Sequence, residues 1–259
     1  MIELANRLQT VEEYYFSKKL REVALLMANG KPIINLGIGS PDLNPPQKVI
    51  DTLGGSFKHP KANQYQSYQG LPELREAIVS FYRDQYDVYV SPSTEVLPLM
   101  GSKEGIMHIS MAFLNPGDQV LIPNPGYPTY TSVTNLIGAE PVFYDLTESS
   151  NWLIDIEALE EQDLSKVKMM WVNYPHMPTG TNASDAFFTR LIAFAKRHTI
   201  LIINDNPYSF VLNKEPKSML QIAGAKEVCL ELNSLSKTFN MSGWRVGMVL
   251  GRAEYINAI

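Results

Sequence analysis

The chain has 259 residues, 45% of them apolar and 19% charged, and a formal net charge of −5. Such a length buries a large core, as one α/β domain or two smaller ones, and an acidic balance with no basic run disfavours a nucleic-acid footprint. The lone Cys229 excludes an internal disulfide, no long apolar stretch is present to span a membrane, and the first residues lack the basic-then-apolar pattern of a signal peptide, so a cytoplasmic protein is expected.

Positions 10–29 read as an amphipathic helix, with Tyr14, Leu20, Val23, Ala24 and Met27 at helical spacing and Asn29-Gly30 as its stop. A short strand, Pro32 to Leu36, is expected to lead into the turn-rich loop Gly37-Ile38-Gly39-Ser40-Pro41-Asp42. From about position 95 the pattern is regular. Apolar runs at Glu95–Met100, Gln119–Ile122, Pro141–Tyr144, Lys168–Asn173, Ile200–Asn204 and Val228–Leu232 alternate with helix-like segments such as Lys103–Phe113, Asp155–Glu161 and Asp185–Arg197. The alternation predicts an α/β fold with a mainly parallel central sheet sandwiched by helices. Met169–Val172 and Ile200–Ile203 are apolar throughout, as strands buried on both faces are. Cys229 falls inside the last run and reads as inert core.

In such sheets ligands sit beyond the carboxyl ends of the strands. The polar residues that follow each run therefore share one edge: Gly101-Ser102-Lys103, Asn124 to Tyr127, Asn173 to Gly180, Asp205 to Tyr208, and Ser234 to Lys237. Lys237, flanked by Ser234 and Ser236 and followed eight residues later by Arg245, has what an aldehyde cofactor with a phosphate tail needs. The amine forms a Schiff base, and the hydroxyls and guanidinium hold the dianion. Ser102 and Lys103 open a helix whose first amides suit a phosphate, although the spacing is not that of a Walker loop. Asp205 closes the most apolar strand, where a protonated ring nitrogen is a suitable partner. Tyr208 can donate to a ring oxygen, and Tyr127 can stack on a flat ring. No metal site is assigned.

Taken together, these segments resemble the class I/II pyridoxal-phosphate-dependent aminotransferases, which have the aspartate aminotransferase fold. The resemblance runs from the 37–42 loop to Trp244-Arg245-Val246-Gly247. It implies the fold type I large domain, divided here as an N-terminal helix and arm (1–44) and a large cofactor-binding domain (45–259). It further implies Lys237 as the Schiff-base lysine and proton carrier, and Asp205, Tyr208, Tyr127 and Asn173 around the ring. Ser102, Lys103, Ser234, Ser236 and Arg245 would lie around the phosphate, and Gly39 near the substrate carboxylate. Tyr65, in Tyr65-Gln-Ser-Tyr-Gln-Gly70, matches a tyrosine that reaches the neighbouring subunit's phosphate, which implies a homodimer acting on an amino acid and a 2-oxo acid.

Two departures stand out. Met177 occupies the place of an asparagine that bonds the ring oxygen, and a thioether donates no hydrogen bond, so His176 or Asn173 becomes a substitute candidate. The family also continues into a small C-terminal domain bearing a carboxylate-binding arginine, so an incomplete copy of a longer enzyme is expected. A lyase or synthase on the same fold, or a regulatory homologue without chemistry, is the alternative. A Rossmann dehydrogenase lacks its Gly-x-Gly-x-x-Gly here.

Overall fold

A computed structural model describes residues 2–10, 13–37 and 39–259. Positions 11, 12 and 38 of the expected helix and loop lie outside these described residues. Seven strands form one sheet: β1 (Val96–Leu99), β2 (Gln119–Asn124), β3 (Glu140–Asp145), β4 (Val167–Val172), β5 (Leu201–Asp205), β6 (Cys229–Ser234) and β7 (Gly247–Gly251). Their order is β1-β7-β6-β5-β4-β2-β3, and only the pairings of β7 with β1 and β6 are antiparallel.

The helices are α1 (Tyr15–Ala28), α2 (Gln47–Ser56), α3 (Pro72–Tyr86), α4 (Ser102–Phe113), α5 (Pro128–Leu136), α6 (Ile156–Glu160), α7 (Asp185–His198), α8 (Leu235–Thr238) and α9 (Ala253–Ala258). Local chemistry sets several of their ends. Pro72 opens α3, where a missing N–H costs nothing, and Asp87 closes it in the left-handed region. The Ser184 side chain accepts the Phe187 N–H at the start of α7, and Thr199 ends that helix at φ 55°.

Successive strand side chains point to opposite faces, so each buried strand feeds two cores. On one face Met170, Val172 and Ile202 pack with Tyr82 of α3 and Phe188 and Leu191 of α7. On the other, Trp171, Ile203, Leu232 and Val249 pack with Ile106 and Ile109 of α4 and Tyr130 and Val133 of α5. This is the expected sandwich.

Three differences have physical causes. Pro32–Leu36 is extended but is not a strand; Ile34 and Leu36 are 85% and 89% exposed, because no neighbouring strand lies beside them to pair. The helix expected at 10–29 forms as α1 but buries no residue within this chain. Strand β7 has no counterpart among the expected runs. It is short, bounded by glycines, and wedged between two strands distant in sequence. Glycine at 247 is required by crowding, since a Cβ there would lie 2.6 Å from the Ser102 nitrogen.

Candidate active site

The carboxyl ends of β5 and β6, the start of β7 and the N-terminus of α4 meet at one edge of the sheet. Lys237 sits on the one-turn helix α8 directly after β6, and its amine donates to the Gly39 carbonyl at 2.7 Å. Partial burial lowers its pKa, which raises the share of neutral, nucleophilic amine. The hydroxyls of Ser234 and Ser236 lie 2.8 Å apart, and Ser234 Oγ accepts the Ser236 N–H at 3.1 Å.

Arg245 is held in the left-handed region at φ 56°, with Nη1 donating to the Ser242 carbonyl at 2.8 Å. Its guanidinium lies against Gly101, which itself has φ 88°; a Cβ on residue 101 would come within 2.1 Å of Arg245 Nη2. Guanidinium, Gly101 and the first amides of α4 thus share one corner. The Lys103 side chain leaves that corner, its ammonium sitting 5.0 Å from the Tyr14 ring centre, so Lys103 offers a backbone amide there rather than a charge.

Asp205 ends β5 and is buried. Its Oδ2 accepts the Tyr130 hydroxyl at 2.7 Å, and its Oδ1 has no partner. Burial pushes its carboxyl up to about 6, and the Tyr130 bond opposes the shift. Tyr130 in turn lies flat on Trp171, with ring centres 4.7 Å apart and planes 6° apart. Tyr127, one helical turn before it, meets Tyr130 edge-on at 5.6 Å. Burial raises the Tyr208 hydroxyl's pKa, with further contributions from Asp205, Tyr127 and Tyr14. Burial, with Tyr127 nearby, raises the Tyr14 hydroxyl's pKa as well.

Asn173 and His176 are committed elsewhere. The Asn173 amide donates to the Asp205 carbonyl, and its oxygen accepts the Met177 N–H at 2.7 Å. The His176 ring is buried, with Nε2 3.1 Å from the Pro125 carbonyl and Nδ1 2.8 Å from Thr179 Oγ1. A carbonyl only accepts, so Nε2 carries a proton toward Pro125, and Nδ1 is paired with the Thr179 hydroxyl. His176 therefore clips the Tyr127 loop to the 176–181 turn and has no nitrogen left for a ring oxygen, which corrects its candidacy. Tyr65 is fully exposed and joins no contact with these groups. Tyr130 and Tyr14 were not among the sequence candidates. The one signal for Tyr130 is its i, i+3 spacing from Tyr127.

The donor set can be tested against pyridoxal phosphate. A buried carboxylate oxygen without a partner suits a protonated pyridine nitrogen. A corner built from Arg245, two serines, helix amides and a glycine suits a phosphate dianion, and a half-buried amine with a lowered pKa suits an aldehyde. The residues fit the group.

Known proteins are similar to this chain in sequence and fold. Residues 31–259 match the model of the family described as aminotransferase class I and II. An LL-diaminopimelate aminotransferase of Dehalococcoides mccartyi is 40% identical over 260 residues, covering 100% of this chain and 67% of the relative. Among solved structures, substrate-bound BacF from Bacillus subtilis superposes with a TM-score of 0.93 at 37% identity, covering 100% of this chain and 66% of that one. An aspartate aminotransferase variant of Thermus thermophilus gives a TM-score of 0.92 at 26% identity, covering 100% and 67%. The chain thus spans about two thirds of the length of the relatives it matches. With a family model matched over most of its residues and a relative at this identity along its whole length, the chain belongs to the class I and II aminotransferases.

Proposed function

We propose that this chain carries the cofactor half of an aminotransferase site, moving an amino group from an amino acid to a 2-oxo acid with pyridoxal phosphate. The observation that carries the reading is the unpartnered Oδ1 of Asp205, buried at the edge where Lys237 and Arg245 also lie. Leaving a buried acceptor unpaired costs on the order of 1–3 kcal/mol, a cost removed by a ligand that donates there.

Asp205 would hold the ring nitrogen, with Tyr127 against the ring face and Tyr208 at the ring oxygen. Arg245, Ser234, Ser236 and the amides of Ser102 and Lys103 would hold the phosphate. When bound, the cofactor supplies an aldehyde that condenses with amines and a ring that withdraws electron density. Lys237 Nζ then takes the proton from the substrate α-carbon and returns it on the other side of the transfer. Its lowered pKa keeps the amine able to accept that proton. Asn173 holds the Asp205 carbonyl in place, and Gly39 lies beside the amine near the expected carboxylate position.

Assembly as a homodimer is part of this reading. It is supported by the fully exposed Tyr65 and by the uncovered apolar side of α1, where Leu25 and Met27 face outward. A cytoplasmic setting fits the free, buried Cys229. Similarity to LL-diaminopimelate aminotransferases puts LL-diaminopimelate first among donors to assay.

The test is to load the protein with pyridoxal phosphate, reduce with borohydride and map the adduct by mass spectrometry. An adduct on Lys237, lost in Lys237→Ala, is expected. Labelling confined to other lysines overturns the reading. A donor panel with 2-oxoglutarate then identifies the substrate.

A further inference from the structure

Among the described residues two carboxylates are buried, and only Asp205 has a place in the site above. The other, Glu231, lies in the middle of β6 within a run that is otherwise apolar. Asn204 is its register partner on β5, and because strand side chains alternate, both point away from the face that carries Asp205. Among the described residues no cation pairs with Glu231; three donors do. Asn204 Nδ2 and the Met219 N–H reach Oε2 at 3.1 and 2.8 Å, and Asn206 Nδ2 reaches Oε1 at 3.3 Å.

Those donors bracket the site. Asn204 and Asn206 stand on either side of Asp205, and Met219 ends the excursion that begins at Asn206 and carries Tyr208. The Asn206 amide closes the excursion from within by donating to the Lys217 carbonyl at 2.8 Å. A buried carboxylate without a counter-ion is a costly way to fill a core, and an apolar side chain would do it more cheaply. What the carboxylate supplies is acceptor capacity for several donors converging from two segments.

We propose that Glu231 is the positioning residue of this site. From behind the sheet it latches the 206–219 excursion and so fixes the direction of Asp205 and Tyr208. What Asp205 and Tyr208 do for a ligand rests on the function proposed above; the latch itself does not. An amide cannot replace the carboxylate. A glutamine presents an N–H to the donor of Asn206, and the Asn206 oxygen, which now has no partner, would swing round to accept it. That rotation withdraws the Asn206 N–H from Lys217 and opens the excursion.

The experiment compares wild type, Glu231→Gln and Leu230→Val, which changes a buried residue on the same strand but on the opposite face, away from the latch. Amide hydrogen exchange of the cofactor-free protein is read alongside pyridoxal phosphate affinity. In Glu231→Gln, amides within 206–219 should exchange about tenfold faster, as expected for loss of one hydrogen bond to a charged group, with the rest of the sheet unchanged. Cofactor affinity should fall by a similar factor. Unchanged exchange in 206–219, or faster exchange over the whole sheet that Leu230→Val reproduces, overturns the latch. If Glu231→Gln does not fold, Asn206→Ala removes one arm of the latch, and faster exchange confined to 206–219 is again required. Should wild type take up no pyridoxal phosphate, the proposed function fails, while the exchange pattern still decides the role of Glu231.

Discussion

Tyr130 grips one oxygen of Asp205 at 2.7 Å and leaves the other free, across 75 residues of sequence. The hydroxyl favours the ionised carboxylate, whereas burial favours the protonated one. Replacing Tyr130 by Phe keeps the stacked ring on Trp171 and deletes only the donor. The Asp205 carboxyl should then titrate about one unit higher, read from its carbon-13 shift in cofactor-free protein, and pyridoxal phosphate should bind severalfold more weakly at neutral pH. An unmoved titration would assign Tyr130 a packing role alone.

Asp205 itself ties stability to pH. Its folded pKa, about 6, is above the ordinary carboxylate value, so the folded chain holds this proton more tightly than the unfolded chain. That stabilising contribution is complete below about pH 4 and is lost as pH rises through about 6. Asp205→Asn is uncharged at every pH and does not lose it as pH rises. Without cofactor, the variant should match wild type in thermal melts near pH 4 and exceed it by about 2–3 kcal/mol at pH 8, while losing transaminase activity.

Gly101 is fixed by its left-handed φ and by the Arg245 guanidinium where a side chain would begin. Gly101→Ala should cost about 1–3 kcal/mol in denaturant unfolding and push Arg245 off the phosphate corner. Equilibrium dialysis should show cofactor release at roughly tenfold higher protein concentration than for wild type.

The resemblance would place position 177 at the ring oxygen, where Met177 offers no donor. Met177→Asn should stabilise the deprotonated cofactor chromophore and lower the pH midpoint of its absorbance change by about one unit. Spectrophotometric titration of the two proteins checks this, and an unchanged midpoint would place the side chain outside the site.

Tyr65 is fully exposed in its own chain, so a role at the site requires a neighbouring copy. Tyr65→Phe and Lys237→Ala, each weak or inactive alone, should regain activity on mixing and subunit exchange. A hybrid dimer then holds one site with both residues intact. No recovery on mixing would remove Tyr65 from the partner's site.

Much of this molecule was legible along the chain. The runs around Met169–Val172 and Ile200–Ile203 announced strands buried on both faces, and both lie in the sheet as read. The edge rule gathered Ser102, Asp205, Ser234 and Lys237 before any fold was seen, because strand, turn and helix start are local patterns. Arg245 is marked by its spacing, eight residues after Lys237. Sequence also raised His176 as a free imidazole and Pro32–Leu36 as a strand. The Pro125 carbonyl occupies the first, and the second has no neighbour to pair with.

What composition and periodicity determined, then, was which segments are buried and which residues end them, because those properties depend on a few adjacent side chains. Which polar groups meet was decided only by tertiary structure. Tyr130 reaches Asp205, Glu231 gathers Asn204 and Asn206, and β7 slips between β1 and β6, through the crossovers and register of the sheet. A buried donor or acceptor is satisfied by whatever strand folds beside it, and that neighbour can be any distance away along the chain.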